Sequence, residues 1–117
     1  MSFVSEAIQL MKMNNFGEAA KMLETHLNDQ GIKPSAKIGM MSWISECYQK
    51  TEDRAQAARW AEQAGRAALA CKDMPKGEKM KRAREEFERA LSYYEAVNDV
   101  NGMGRMASLK YGLHASF

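Results

Sequence analysis

Residues 41–64 constrain the fold more than any other stretch, because they predict two helices joined by a tight turn. Before the turn, Ile44 and Tyr48 recur at helical spacing and share one face. After it, Asp53 can cap the second helix, with Gln56 three residues further on. That second helix is rich in alanine, and small residues on one face let a neighbouring helix approach closely. We therefore expect this stretch to form a helical hairpin.

Weaker versions of this pattern fill the rest of the 117-residue chain. Pro34 and Pro75 stand where the first turns of helices are expected, and Asn and Gly residues mark other breaks. We predict an all-α fold of six helices, arranged as three antiparallel hairpins in one domain spanning residues 1–117. The hairpins cover approximately residues 2–31, 34–72 and 75–115.

Composition and charge bear on the binding partners and the cellular location expected of the chain. The net charge of +2 does not indicate a global electrostatic grip on nucleic acid or on an anionic membrane. No apolar run approaches the roughly 18–20 residues of a membrane span, and Glu6 interrupts the apolar N-terminal stretch, so no signal peptide is expected. Cys47 and Cys71 lie inside predicted helices and far from any CxxC spacing. Free thiols and a cytoplasmic location are therefore expected.

Two turn regions of the sequence share one spacing. Leu10 in the first and Tyr48 in the second are each followed nine residues later by an alanine. These alanines, Ala19 and Ala57, are 38 residues apart, within the period of about 20–50 residues that is typical of stacked helical repeats. The spacing therefore indicates stacked helical repeats.

This spacing resembles that of the tetratricopeptide repeat family. In the central hairpin the residues that match the family pattern are Met41, Ile44, Ser45, Tyr48, Ala57, Ala61 and Ala64. Glu52 and Arg54 replace the family's turn glycine and turn aromatic residue. The first hairpin matches at Ala7, Leu10, Phe16, Ala19 and Leu23. The third matches at Phe87, Tyr94, Asp99 and Val100, although a second register, with residues 84–97 as the second helix of a hairpin, also fits.

The resemblance implies a right-handed array of hairpins, in which the first helices of the hairpins form a concave face that binds an extended peptide or a helix. Carried over position by position, that face comprises Val4, Ile8, Met11 and Lys12 of the first helix, Ser42, Glu46, Gln49 and Lys50 of the third, and Glu85, Glu88, Ser92 and Glu95 of the fifth. Such a groove grades from apolar to acidic, which predicts a ligand with an apolar anchor and basic residues. Val4 and Ile8 occupy positions where the family's clamp for acidic chaperone tails carries Lys and Asn, so that subclass is not expected.

The sequence shows no catalytic constellation with usable spacing. It contains no GxxxxGK[ST], GxGxxG or GxSxG motif. Its two histidines, His26 and His114, lie in distant predicted helices, and no nucleophile–base set or metal-ligand set can be assembled around them. We therefore expect neither enzymatic activity nor a cofactor or metal.

Two segments allow alternative interpretations. Residues 72–84 carry six basic and two acidic side chains, which could form a patch for RNA, anionic lipid or an acidic protein segment. A solvated helix face is favoured instead, because pairs such as Arg82 with Glu86 stand at i,i+4 and are expected to pair on the outer face of the fifth helix. The sixth helix is too apolar for a solvated cap, so it either docks onto the fifth helix or is a contact surface for a second copy of the chain or a larger partner. The residues assigned to such self-association are Met103, Met106, Leu109, Leu113 and Phe117.

Three functions are consistent with these features. The leading hypothesis is a protein–protein interaction module, an adaptor or small chaperone that binds a partner segment in the groove of helices 1, 3 and 5. The alternative is a structural subunit, or a self-associating helical bundle, within a larger assembly. Nucleic-acid binding through residues 72–84 is the weakest of the three.

Overall fold

The structure, a computed structural model, describes residues 2–115 and folds them into six α-helices with no strand among them. The helices in chain order are α1 (Ser2–Lys12), α2 (Phe16–His26), α3 (Pro34–Lys50), α4 (Arg54–Ala70), α5 (Lys76–Ala96) and α6 (Val100–Ala115). The all-α fold of six helices is thus confirmed.

Local sequence signals account for where several helices begin. Pro34 is the first residue of α3, where its missing N–H has no helical partner to lose. Asp53 precedes α4, and its carboxylate accepts a hydrogen bond of 3.2 Å from the backbone N–H of Gln56. Asp99 precedes α6 and accepts in the same way from the N–H of Gly102, at 3.0 Å. These caps satisfy amide groups that a helix N-terminus leaves without backbone partners.

The three turns within the hairpins share one backbone geometry. Each contains one residue in the left-handed region, namely Asn14 (φ 62°), Glu52 (φ 66°) and Asn98 (φ 57°). In each turn, the residue that follows the left-handed one donates its backbone N–H to the carbonyl oxygen five residues before it. These hydrogen bonds join Asn15 to Leu10 at 2.8 Å, Asp53 to Tyr48 at 2.9 Å and Asp99 to Tyr94 at 3.0 Å. This closure is that of a Schellman motif. It places Leu10, Tyr48 and Tyr94 at equivalent positions and puts the third turn between α5 and α6.

Glu52→Gly should raise the free energy of unfolding by about 0.5–1 kcal/mol, because a side chain in the left-handed region carries a steric penalty that glycine lacks. Urea denaturation measures the change. Asn98→Gly, at the equivalent turn position, is the matched control and should gain less, since asparagine tolerates this conformation better. A loss of stability in Glu52→Gly would contradict the prediction.

Helices that are adjacent in the chain pack against one another, and α4 and α5 form the most extensive of these contacts. The alanine-rich face of α4 makes this possible, because Ala61, Ala64 and Ala68 are fully buried and add little bulk. Gly65 lies on the same interface, and a Cβ built there would lie 2.5 Å from Cε1 of Phe87 on α5. The principal extents of 41 × 34 × 19 Å correspond to a particle about two helices thick.

The core is divided into two clusters of buried residues. One lies among α1, α2 and α3 and includes Leu23 and Ile44. The other draws mainly on α4, α5 and α6 and includes Phe87, Tyr94 and Met106. Since α3 borders both clusters, its remaining face is left to shape the surface between α1 and α5.

Candidate partner-binding groove

A polar cleft of about 390 Å³ separates α3 from α5. Its walls carry mostly polar and charged side chains, and the lining residues are Gly39, Ser42, Trp43 and Glu46 of α3 and Arg82, Glu85, Glu86 and Arg89 of α5. Three carboxylates and two guanidinium groups give the walls a formal charge of −1. The cleft therefore offers both hydrogen-bond donors and acceptors to a ligand.

An apolar cavity of about 210 Å³ lies between α1 and α3. Its lining residues are Val4, Ala36, Gly39, Met40 and Trp43, none of which is charged. Gly39 and Trp43 line this cavity and the polar cleft alike, so the two meet on α3. We call the combined surface across α1, α3 and α5 the groove. An apolar pocket beside a few placed polar groups is the usual character of a binding site.

A buried carboxylate organises the α5 wall of the groove. Glu86 is only 1% exposed, and its Oε2 accepts a hydrogen bond of 3.2 Å from Nε of Arg82. Its Oε1 has no hydrogen-bond donor among the described residues, although Nη1 of Arg89 lies 3.6 Å away. The prediction that Arg82 and Glu86 pair on the outer face of the helix is wrong in placement: they pair, but Glu86 is buried. The hydrophobic period of α5 did not reveal this, because Glu86 is a charged residue that stands beside Phe87 and is not part of the apolar stripe.

Arg89 also links α5 to α3. Nη1 of Arg89 donates a hydrogen bond of 2.9 Å to Oγ of Ser42, which is buried, and lies 3.9 Å from a carboxylate oxygen of Glu46. Arg89 is therefore held between the two helices, within reach of Glu86. A ligand entering the cleft meets guanidinium groups that are already oriented, which lowers the ordering cost of binding.

The structure brings together some of the groove residues named from the sequence. Val4 lines the apolar cavity, and Ser42, Glu46 and Glu85 line the polar cleft. Those that line neither cavity are Ile8, Met11, Lys12, Gln49, Lys50, Glu88, Ser92 and Glu95. Whether any of these residues binds a partner stays a prediction.

The repeat explains why the predicted residues Glu88, Ser92 and Glu95 of α5 fall outside the cleft. The turn alignment makes Glu88 equivalent to Ser42 and to Val4, which face the next odd-numbered helix from α3 and α1. No such helix follows α5 among the described residues. The carboxylate of Glu88 is instead 53% exposed and lies 3.8 Å from Nζ of Lys110 on α6.

Sequence reasoning did not assign Trp43, Arg82, Glu86 or Arg89 to the groove. The signal that could have identified them is the repeat register itself, since each odd-numbered helix must also present a flank to the helix before it. Trp43 immediately follows the predicted Ser42, and Arg89 immediately follows the predicted Glu88. A one-residue step turns a helix by about 100°, so these side chains face the preceding helix.

Four apolar residues of α6 face the core. Met106 and Leu113 are buried in the cluster that includes Phe87, and Met103 and Leu109 pack against that cluster. Helix α6 thus docks onto the body of the protein with the face that the sequence assigned to self-association. Phe117, the remaining residue of that set, lies outside the described residues.

Other chemistry is sparse in the part of the chain that the structure describes. No group of three or more His, Cys, Asp or Glu side chains comes together there to hold a metal ion. Burial raises the pKa of the Cys47 thiol to about 11, so this thiol is neutral near pH 7 and is not an activated nucleophile. None of the described helices has both the length and the apolar character needed to cross a membrane.

No protein-family model matches the sequence, and no curated protein or solved structure shows significant similarity to it.

Proposed function

We propose that the protein is a protein–protein interaction module, an adaptor or small chaperone, that binds a segment of a partner protein in the groove. The observation that carries this proposal is the meeting of an apolar cavity and a polar cleft at Gly39 and Trp43 of α3. An extended segment laid across α1, α3 and α5 can fill the first with a side chain and satisfy the second with polar groups. Neither cavity holds an activated nucleophile or a metal set among its lining residues, which favours binding over catalysis.

The resemblance to tetratricopeptide repeats belongs to this proposal, and two repeated contacts support it. The three Schellman turns recur at equivalent positions. In addition, the Tyr48 hydroxyl in the second hairpin donates a hydrogen bond of 2.8 Å to Glu24 in the first hairpin. The equivalent Tyr94 hydroxyl in the third hairpin donates one of 2.5 Å to Glu62 in the second hairpin. Successive hairpins thus use one type of joint, as expected of a right-handed stack of repeats.

The lining residues indicate what the partner segment contains. The cavity bordered by Val4 and Trp43 accepts an apolar side chain, because water displaced from apolar walls is replaced by apolar contact. The excess of one carboxylate in the cleft favours a basic residue nearby, beside Glu46 or Glu85. The proposed ligand is therefore a segment with an apolar anchor and a basic residue, as the sequence predicted.

Trp43→Ala should weaken the binding of such segments by at least about tenfold, because Trp43 forms a wall of both cavities and aromatic anchors dominate interface energies. The measurement begins with selection of a phage-displayed library of random twelve-residue peptides against the wild-type protein. The affinities of the selected peptides for each variant are then compared by fluorescence polarisation.

Trp60→Ala is the matched control, since Trp60 is also half-buried and packs against the same core cluster but lines neither cavity. Both variants are first checked by a thermal melt. Equal losses of affinity in the two variants, or selected peptides that lack an apolar residue, would contradict groove binding.

The second candidate function is that of a self-associating structural subunit, and the outward face of α6 favours it. Val100 and Tyr111 are 73% and 76% exposed, and Gly104 and Ala107 continue their stripe at helical spacing. This face differs from the buried one that the sequence assigned to self-association. Light scattering over a concentration series separates the two candidates, because groove binding requires no second copy of the chain.

A further inference from the structure

A third cavity, of about 290 Å³, lies among α4, α5 and α6 and shares no residue with the groove. Its lining residues are Arg59, Glu62, Gln63 and Arg66 of α4, Tyr94 of α5, Asp99 of the turn before α6, and Arg105 of α6. Arg59, Gln63 and Arg66 stand at i, i+4 and i+7, so they form one stripe along α4. Arginines therefore reach this cavity from two different helices.

Glu62 fixes two of these arginines in place. It is 8% exposed, and Nε and Nη2 of Arg66 donate to its Oε2 at 3.1 and 2.9 Å. From α6, Nε of Arg105 donates to Oε2 and Nη2 to Oε1, both at 3.2 Å. The Arg105 guanidinium also lies over the Tyr94 ring, 5.5 Å from its centroid. Both guanidinium groups are thus oriented before any ligand arrives.

Arg66 and Arg105, although oriented by Glu62, still have N–H donors available for a further acceptor. Arg66 and Arg105 both use their Nε and Nη2 atoms on Glu62, and Nη1 of neither group makes a hydrogen bond within the described part of the chain. Arg59 is exposed and likewise makes no hydrogen bond or ion pair there. The three arginines outweigh the carboxylates of Glu62 and Asp99, so the lining carries a formal charge of +1.

We infer that this cavity binds a tetrahedral oxyanion, either inorganic phosphate or the phosphate group of a small monoester, on Arg59, Arg66 and Arg105. A carboxylate has two oxygens, and one edge of a single guanidinium satisfies both. The internal carboxylate of Glu62 already occupies that planar role. Three guanidinium groups from two helices instead suit an anion whose oxygens point in several directions, and arginine is the side chain best fitted to phosphate. This inference does not depend on the groove or its ligand.

The test is a titration of the full chain by isothermal calorimetry and by amide NMR, with inorganic phosphate, methyl phosphate and acetate at matched ionic strength. Saturable binding of a phosphate species is expected, with shifts of the Gln63 and Arg105 amides and at least about tenfold weaker binding of acetate. Tighter binding of methyl phosphate than of inorganic phosphate would identify a monoester as the ligand, and the reverse order would identify free phosphate. Absence of saturation at about 20 mM of both phosphates, or acetate binding equal to them, would overturn the inference.

Arg59→Ala should weaken phosphate binding at least about fivefold without affecting folding, because Arg59 holds no contact that the fold needs. Arg54→Ala is the matched control, since Arg54 is exposed on the same helix but lies outside the cavity. An equal loss in both variants would mean that phosphate responds only to net charge, and the site would then be rejected.

Discussion

Phe87→Ala should lower the free energy of unfolding by about 3–5 kcal/mol, the range observed when a large buried aromatic residue is truncated. Phe87 is fully buried, and it is the largest of the fully buried side chains. Its ring fills the interface between α4 and α5, the most extensive helix contact in the protein. Because domains of this size have total stabilities of only about 5–15 kcal/mol, the loss should be plain in urea denaturation.

Gly65 makes this prediction sharper, because a Cβ there would lie 2.5 Å from the Phe87 ring. Gly65→Ala should therefore lower stability by about 1–3 kcal/mol through overpacking, although alanine is the better helix former. In the Phe87→Ala background the same change should become neutral or stabilising, since the space is then empty. Tyr111→Ala, at an exposed aromatic residue, should change stability by less than about 0.5 kcal/mol. Additive losses in the double variant would contradict the packing described for this interface.

Glu62→Gln should lower the free energy of unfolding by about 2 kcal/mol near pH 7, because hydrogen bonds to a charged group contribute more than neutral ones. Glu62 joins three helices: it accepts from Arg66 on its own helix, from Tyr94 on α5 and from Arg105 on α6. The two arginines are about half-exposed, which keeps the expected loss below that of a fully buried ion pair. Glu88→Gln is the control: its carboxylate is largely exposed and meets only Lys110, so its loss should be near zero.

The pH dependence of this loss identifies the charge as its cause. Burial by itself would raise the pKa of Glu62, but hydrogen bonds from Arg105, Tyr94 and Arg66 outweigh burial and lower this pKa below its ordinary value of 4.5. A carboxyl group whose pKa is lower in the folded state stabilises the fold above its unfolded pKa. The difference between wild type and Glu62→Gln should therefore be constant above about pH 5 and shrink as the pH falls below 4.5. A difference that persists at low pH would mean that shape, not charge, is responsible.

Some of the residues that line the groove were predicted from the sequence, and others were not. The resemblance to tetratricopeptide repeats implied Val4, Ser42 and Glu46 as groove residues, and the structure places these three in cavity walls. Trp43 was missed because the alignment was used only for the flank that faces the next odd-numbered helix, whereas Trp43 also lines the cavity against α1, the helix before it. The phage-displayed peptide selection tests whether these groove residues bind a partner.

The sequence by itself determined the six helices and their turns. The reason is that hydrophobic period, proline position and side-chain capping act over a few residues, so the signals around Pro34 and Asp53 are complete within the segments that carry them.

Only the tertiary structure decided which side chains meet across helices. It buried Glu86 within a helix flank that the sequence takes as solvated, turned Met106 inward, and joined Glu62 to Arg105, 43 residues away. The physical reason is that burial and charge pairing depend on the distance between elements in space. A charged residue has the same local pattern whether solvent or another helix covers it, and only packing distinguishes the two.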